Sequence, residues 1–460
     1  MRTRTLIIFS LFFCSTLILK AQNKKILFGF DEIPQSLMVN PGAEVNYKFH
    51  SGIPLLSGVY INAGLTGFNI ADLFANDGID VNSKLRNLLQ QTSRKDYYTI
   101  NQQLELFNIG FRLNNNHRDY ISFGFYQELD AILYHPKDIV TLAFEGNEHI
   151  GQVFNLSDLS FKAELIGVYH LGINRKINNK LTIGLRGKIY SSVININSKI
   201  NSGTFTTTIG ENNFYNHNLS NVNLSLKTSG ILDENGNTVA DKGVFGKFLL
   251  SGNMGLGIDF GLTYKPKENL EINASMIDLG FIKHSKNVTN YEIKGTQNFE
   301  GLNLIFPTTN GIEYWQNLED EFEQNIPLDT LNTKYTTVRS LKLNGSLAYK
   351  FGRTRENNCL RTASGNPSPN EVGIQLFSIF RPKQPQLAAT LFYYRRISKF
   401  LRTKFTYTVD DFSYTNVGFG FSTHIGKFNL YATADNLIGY TNLSKSNSQS
   451  VQFGMNIIFE

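Results

Sequence analysis

Residues 256–263 read Leu-Gly-Ile-Asp-Phe-Gly-Leu-Thr, with an apolar side chain at every second position. Because successive side chains of a β-strand point to opposite faces, this strand has one apolar face and one face of small and polar residues. The same alternation recurs at 181–189, 341–350 and 416–422. An apolar face that meets lipid and a polar face that meets the interior are typical of a membrane-spanning barrel.

A soluble β-sandwich also alternates, and segment length separates the two alternatives. Sandwich strands average about five or six residues, whereas many segments here approach the length of about 9–11 that crosses a bilayer at a tilt. The last segment, 451–459, alternates up to the second-last residue of the chain. The sequence therefore predicts an all-β fold, a transmembrane antiparallel β-barrel.

About fourteen strands are expected, and an even number is typical of bacterial single-chain barrels. They lie near 58–66, 105–113, 119–129, 160–173, 181–199, 255–264, 270–282, 341–351, 371–381, 387–396, 402–409, 414–423, 427–436 and 450–459. Aromatic residues at segment ends are expected to form interfacial girdles: Tyr120, Tyr190, Tyr264, Phe351 and Tyr414.

The connections between these strands must alternate between the two sides of the membrane. If the last strand descends to the periplasm, the periplasmic connections are short apart from 352–370, and the long connections fall outside, as this class predicts. We therefore expect 200–254 and 283–340 to be long extracellular loops. A strand at 222–228 would break the alternation, so we assign it to a hairpin in the outer loop.

The first 21 residues have the pattern of a secretory signal peptide. Arg2 and Arg4 precede an apolar run over 6–19, and Ala21 supplies the small residue of a cleavage site. The run is shorter than the about 20 residues that span a bilayer. We expect cleavage after Ala21 and a mature outer-membrane barrel of residues 22–460; an uncleaved anchor is the alternative.

Composition excludes several classes of protein. The formal net charge is +6, and loss of Arg2, Arg4 and Lys20 with the leader lowers it to +3, which does not indicate nucleic-acid binding. Two cysteines rule out a disulfide scaffold. A mean hydropathy of −0.21 excludes a polytopic helical membrane protein.

Fourteen strands enclose more space than wall side chains alone can fill, so the lumen is either filled or open. Residues 22–57 contain three prolines and lack transmembrane alternation, and we expect this segment to act as a luminal plug. Residues 82–92 predict a short helix, with Leu85, Leu88 and Leu89 on one face and Asn82 or Ser83 as its cap. That helix either packs on the rim or belongs to a plug that gates a ligand path.

Eight charged residues at inward positions of the predicted strands are the candidate lumen-lining residues. Two interpretations are open: an internal network of ion pairs, or a lining that biases passage towards anions. The candidates are Arg112, Lys162, Glu164, Arg186, Lys188, Asp259, Lys342 and Lys350.

No motif for catalysis, a cofactor or a metal site is present: the chain has no His-Glu-x-x-His, no Gly-x-Ser-x-Gly and no phosphate-binding glycine loop. We expect no enzyme activity and no cofactor. The three histidines of the predicted outer connections, His149, His217 and His284, are expected to be solvated.

One family resemblance can be stated on particular residues. Ile33-Pro-Gln-Ser-Leu-Met-Val-Asn-Pro41, Gly52-Ile-Pro-Leu-Leu-Ser57 and the run Leu181 to Lys188 resemble a Bacteroidota outer-membrane family listed as a domain of unknown function. Ile277-Asp-Leu-Gly280 at a strand end is similar to the wider FadL- and PorV-like barrels. The resemblance implies a barrel of about fourteen strands and supplies no catalytic residues.

Two functions follow as expectations. The first is passage or delivery of a hydrophobic or small ligand, as in FadL-like barrels. The second is a structural or interaction barrel that serves surface assembly or type IX-like secretion, as in PorV-like barrels. The expected surroundings are outer-membrane lipid and lipopolysaccharide, with a hydrophobic small molecule as ligand or a secretion component as partner.

Overall fold

The computed structural model describes residues 24–67, 77–113, 118–198, 201–210, 215–232, 244–300, 328–352, 368–441 and 446–459. The leader lies outside the described residues. The strands are β1 (Phe49–Gly52), β2 (Val59–Leu65), β3 (Tyr97–Arg112), β4 (Asp119–Tyr134), β5 (Val153–Asn155), β6 (Ser160–Lys176), β7 (Leu181–Ser198), β8 (Ser202–Ile209), β9 (Tyr215–Ser229), β10 (Met254–Lys267), β11 (Leu270–His284), β12 (Val288–Glu300), β13 (Asp329–Leu331), β14 (Tyr335–Val338), β15 (Lys342–Phe351), β16 (Asn370–Phe380), β17 (Pro385–Arg396), β18 (Leu401–Val409), β19 (Asn416–Ile425), β20 (Phe428–Asp435) and β21 (Ser448–Phe459); the helices are α1 (Val81–Gln91), α2 (Lys137–Phe144) and α3 (Val244–Leu250).

The strands close into an antiparallel barrel with fourteen strand positions around the wall, as the sequence predicts. We call each position a stave, whether it consists of one strand or of two consecutive short strands. The order around the wall is β1/β2, β3, β4, β6, β7, β10, β11, β14/β15, β16, β17, β18, β19, β20 and β21. The barrel closes where β21 pairs with β1 and β2, in a register that sets Phe49 opposite Phe459 and Val59 opposite Phe453. Two staves are composite, because residues 53–58 interrupt the first and 339–341 interrupt the eighth. No described helix is long and apolar enough to span a bilayer.

The two faces of the wall follow the alternation in the sequence. Along β7, Ile183, Leu185 and Ile189 are 40–46% exposed, whereas Arg186 and Lys188 are at most 4% exposed. A continuous apolar exterior around a closed barrel matches the hydrocarbon core of a membrane, since closure leaves no unpaired strand edge in lipid. The chain is therefore a transmembrane β-barrel.

The short turns lie at one end of the barrel, where β15 also ends and β16 begins, and the remaining long connections lie at the opposite end. The turn end is the rim that carries 113–118, 177–180, 268–269, 397–400 and 426–427. The other rim, the loop end, carries the long connections apart from the one between β15 and β16. There β5, β8, β9, β12 and β13 extend the same sheet beyond the barrel wall, and they join the wall where 195–197 of β7 pair with 227–229 of β9. We call these five strands the loop-end sheet. Residues 222–228 lie within β9 of this sheet, so the hairpin assignment agrees with the structure.

Several details differ from the sequence predictions. Tyr120 and Tyr190 are buried and face the lumen, so they do not belong to an aromatic girdle. His217 and His284 are 1% and 0% exposed because the loop-end elements pack over them, and only His149 is exposed. The helix begins one residue early, at Val81, and the Asp80 carboxylate accepts a hydrogen bond from the Ser83 amide (3.3 Å), so the cap is neither Asn82 nor Ser83.

Candidate functional site

The N-terminal segment occupies the barrel lumen. We call residues 24–48 the plug; they form irregular turns and one 3₁₀ turn, Pro34–Met38, before the chain enters the wall at Phe49. Irregular backbone leaves carbonyl groups without regular partners, and buried carbonyls need hydrogen bonds. Side chains from strands all round the wall donate those bonds.

The donors come from β3, β6, β7, β11 and β18. They are Lys404 to Phe28 O (2.5 Å), Arg186 to Leu37 O, Ser275 to Val39 O (2.6 Å), Asn174 to Pro41 O and Ala43 O (both 2.8 Å), and Arg112 to Val45 O and to Tyr47 O (3.1 Å). The plug is therefore held by its backbone, and its side chains add specificity.

Side-chain contacts fix the two ends of the plug. Lys25 pairs with Asp410 at 2.7 Å, and both side chains are fully buried. Glu44 pairs with Lys265 near the turn end. Between them, Gln35 donates to Glu105 (2.9 Å) and to Asn456 (2.8 Å).

Apolar residues of the plug complete its packing. One cluster joins Ile26, Leu27, Phe30 and Ile33 to the wall residue Tyr431. A second cluster joins Leu37, Ala43 and Tyr47 to wall residues Tyr120 and Ile458. Burial of these side chains, at about 25 cal/mol per Å², favours the docked plug.

Glycines in the wall let the plug backbone approach closely. A Cβ on Gly184 of β7 would lie 1.9 Å from Pro41 O, and a Cβ on Gly261 of β10 would lie 2.1 Å from the Asn40 side-chain oxygen. No larger residue fits at either place without displacing the plug.

The structure places the eight candidate residues in three surroundings. Six come together in one buried network: Lys162, Glu164, Arg186, Lys188, Asp259 and Lys342. Lys350 belongs to a second cluster near the turn end. Arg112 donates to plug carbonyls and lies over the ring of Tyr120.

Asp278 is the centre of the buried network. Its carboxylate accepts from Lys188 (2.6 Å), Lys342 (2.9 Å) and the Tyr190 hydroxyl (3.2 Å). Lys188 also pairs with Asp259 at 2.8 Å. Charges removed from water are tolerated when each has partners, so the network is a structural lining whose carboxylates and cations compensate each other.

Arg339 connects Asp278 to a second layer of carboxylates. It pairs with Glu164 and, at 3.0 Å, with Glu128, which also contacts Lys342 at 3.3 Å. Lys162 pairs with Glu164 at 3.0 Å.

The second cluster lies where the plug meets the turn end. Glu271 accepts from Lys350 at 2.6 Å and lies 3.6 Å from Lys265, which also pairs with the plug residue Glu44. This cluster therefore ties the plug to β10, β11 and β15.

The cavity that the described residues enclose between the plug and the wall is small. A cavity of about 50 Å³ lies between plug and network and is lined by Lys24, Met38, Lys188, Asp278 and Asn344, among others. That volume holds a few water molecules, whereas small-molecule sites measure about 300–1,000 Å³. Where the described residues line it, the space between plug and network is therefore too small for such a ligand.

A much larger concavity lies on the outer face of the wall, which we call the outer groove. Its volume is about 900 Å³, and its walls come from β6, β7, β10, β11 and β15. The apolar lining residues are Ile173, Ile183, Leu185, Phe260, Leu262, Ala274, Met276 and Leu343. Arg175 is the one charged residue of the lining.

Residues 41–435 match the model of a family of unknown function, DUF5723. The chain belongs to the DUF5723 family. No curated protein matches the sequence.

Several solved barrels are similar in structure to this DUF5723 protein. The toluene transporter TbuX of Ralstonia pickettii is 10% identical with a TM-score of 0.43, covering 96% of this chain and 97% of its own. A Pseudomonas aeruginosa FadL homologue is 8% identical with a TM-score of 0.43, covering 96% and 99%. The toluene transporter TodX of P. putida is 9% identical with a TM-score of 0.38, covering 95% and 93%. At these values the likeness carries no information on what the DUF5723 protein binds.

Two central residues of the network, Asp278 and Arg339, were not among the candidates identified from the sequence. Asp278 was visible only as part of a strand end, and its positive φ of 64° marks the irregularity in β11 that turns its side chain inward. Arg339 fell within the predicted loop 283–340, whereas the structure has 335–338 in the wall as β14. Residues 335–338 are too short to show the alternation that marks the longer strands.

Proposed function

We propose that this protein is a gated outer-membrane barrel for a small hydrophobic ligand, in which the plug is the gate and no catalysis takes place. The proposal rests on one observation: the same part of the wall lines the outer groove on its outer side and contacts the plug on its inner side. The barrel's apolar exterior supports the membrane location, and cleavage of the leader after Ala21 is part of the proposal.

Ser275 and Asn344 form this shared part of the wall. Ser275 lines the outer groove and donates to Val39 O of the plug. Asn344 lines both the groove and the inner cavity and donates to Ser275 Oγ at 3.1 Å. Displacement of the plug at 39–42 would break the bond to Ser275 and free this part of the wall on its inner side.

The lining of the groove defines the class of ligand. Its volume of about 900 Å³ suits a small molecule, and its apolar walls offer no partner for a charged headgroup except Arg175 at one edge. An uncharged apolar molecule therefore gains the most from this surface.

Entry of N-phenyl-1-naphthylamine into cells tests the proposal, because this uncharged aromatic amine fluoresces when it reaches phospholipid. Cells that produce the protein should take it up faster than cells with the empty vector. Ala274→Trp fills the groove and should abolish the gain, while Leu391→Trp on the exposed face of β17 should keep it. Equal uptake with and without the protein would overturn the proposal.

A second function, docking of a surface or secretion partner, has one observation in its favour. The loop-end sheet has its own apolar core of Phe154, Leu156, Phe205, Leu219, Val222 and Phe299. Its β8–β9 hairpin exposes the facing residues Ile209 (74%) and Tyr215 (56%). Cross-linking in native membranes from position 209 should capture one stoichiometric partner; an equal yield from position 98 on the lipid face would count against docking.

The buried Ser–His contact at the loop end does not favour catalysis. Ser229 Oγ lies 2.8 Å from His284 Nδ1, and His284 Nε2 lies 2.9 Å from the Thr337 hydroxyl. Ser229 and His284 are both 0% exposed. No substrate reaches the pair, and a hydroxyl takes the place where a hydrolase has a carboxylate.

A further inference from the structure

The turn end of the barrel is strongly basic on its exposed surface. Of the described residues at this rim, nine Lys and Arg side chains are exposed, while Glu268 is the one exposed carboxylate. The exposed cations are Lys48, Arg118, Arg175, Lys176, Lys180, Lys267, Arg395, Lys399 and Lys427.

In the described part of the chain, the carboxylates near this rim are fewer than its exposed cations. Asp119 is engaged by Arg175 at 2.5 Å. Glu271 and Glu371 face the interior and contact Lys350 at 2.6 Å and 3.7 Å. The surplus of positive charge therefore faces outward.

The cations are distributed around the whole rim. Each turn described at this end has an exposed cation within it or directly beside it: Arg118, Lys180, Lys267, Lys399 and Lys427. A single docked protein would need a patch on one side, whereas a ring matches a partner that surrounds the barrel. The membrane surface is such a partner.

Exposed apolar residues alternate with these cations. Ile397 (55%) and Phe400 (58%) flank Lys399, and Ile425 (63%) and Phe428 (49%) flank Lys427. Apolar side chains beside cations suit the boundary between acyl chains and headgroups, because the apolar groups enter the hydrocarbon while the ammonium groups reach the phosphates.

The loop end has a smaller surplus of positive charge. Among its described residues, nine Lys and Arg side chains are exposed together with five carboxylates, which are Asp77, Asp80, Glu148, Glu300 and Asp329. The sequence of 301–327 adds five acidic residues and no Lys or Arg.

From these observations we infer that the ring of cations at the turn end binds the headgroups of anionic glycerophospholipids in the leaflet that surrounds it. The binding anchors the depth of the barrel and requires no particular headgroup beyond its negative charge.

Native mass spectrometry of the purified protein tests this inference, with dioleoyl phosphatidylglycerol and dioleoyl phosphatidylcholine at equal concentration. We expect preferential retention of phosphatidylglycerol that falls by about fivefold for each cation removed at low ionic strength. The combined variant Lys180→Gln, Lys267→Gln and Lys427→Gln should therefore lower the preference by about 100-fold. The matched control at the loop end is Lys95→Gln, Lys283→Gln and Lys334→Gln, which should retain the preference.

Three results would overturn the inference: no preference in the wild type, an unchanged preference in the turn-end variant, or an equal loss in both variants. Gel mobility before and after heating establishes that each barrel is folded. If the triple variant fails to fold, the three single variants are measured instead. Raising NaCl from 0.1 to 1 M should also weaken the wild-type preference, because exposed charges are screened; a preference independent of salt would refute the role of the cations.

Discussion

Replacement of Gly184 by alanine should undock the plug and leave the barrel intact. The new Cβ would lie 1.9 Å from Pro41 O, and ordinary contact begins at 3.4 Å. The plug must therefore retreat by about 1.5 Å, the difference between these two distances. Gly184 has an extended backbone in β7, so alanine imposes no backbone strain there.

The size of the effect follows from the hydrogen bonds at this point. Asn174 donates to Pro41 O and Ala43 O, both at 2.8 Å, and Ser275 donates to Val39 O at 2.6 Å. At about 0.5–1.5 kcal/mol each, loss of all three weakens docking by about 2–4 kcal/mol. The open population should then rise by a factor on the order of 10².

Hydrogen exchange of peptides from residues 26–46 measures that population. Exchange in Gly184→Ala should exceed that of the wild type by this factor, while peptides from β17 and β18 stay protected. Gly187→Ala is the matched control, because Gly187 lies in the same strand and a Cβ there meets no atom within 4 Å. Identical protection of the plug in the two variants would refute the steric account of docking.

Three further predictions concern the network, the lumen and the helix. Asp278→Asn removes the negative charge that compensates buried Lys188 and Lys342, and it should lower the free energy of unfolding in urea by about 3–5 kcal/mol. Asp119→Asn, which breaks an exposed ion pair, should lower it far less. Equal losses in the two variants would contradict a buried network. Deletion of 26–46 should make the barrel permeable to arabinose in a liposome-swelling assay, and continued impermeability would show that wall side chains alone close the lumen. Asp80→Ala should destabilise α1 by about 1 kcal/mol, seen as faster exchange of 81–91 with no change in barrel melting, and unchanged exchange would mean that Asp80 does not cap the helix.

The strands of the wall were predictable because lipid enforces a simple rule on the sequence. A wall side chain faces either hydrocarbon or interior, so 256–263 and 451–459 show their faces without knowledge of any neighbour. Composite staves were harder to predict: residues 49–52 and 335–338 are too short to show alternation, and pairing with β21 and β11 makes them strands.

The sequence predicted that charged residues line the lumen, but it did not predict which of them contact one another. Charged residues such as Lys188 and Asp259 were assigned to the lumen because they alternate with apolar residues along their strands. Their pairing depends on which strands are neighbours, which the alternation does not show. Arg339 could not be identified, because it acts from the break between β14 and β15.

The sequence by itself determined the fold class, the number of staves and the two faces of the wall, because period-two alternation is a local property of each strand. Tertiary structure alone decided how the lumen is filled. The plug has no regular pattern, and its carbonyls find donors on strands far apart in sequence, from Asn174 to Lys404. The outer groove and the ring of cations are likewise products of closure, which brings together residues that are distant along the chain.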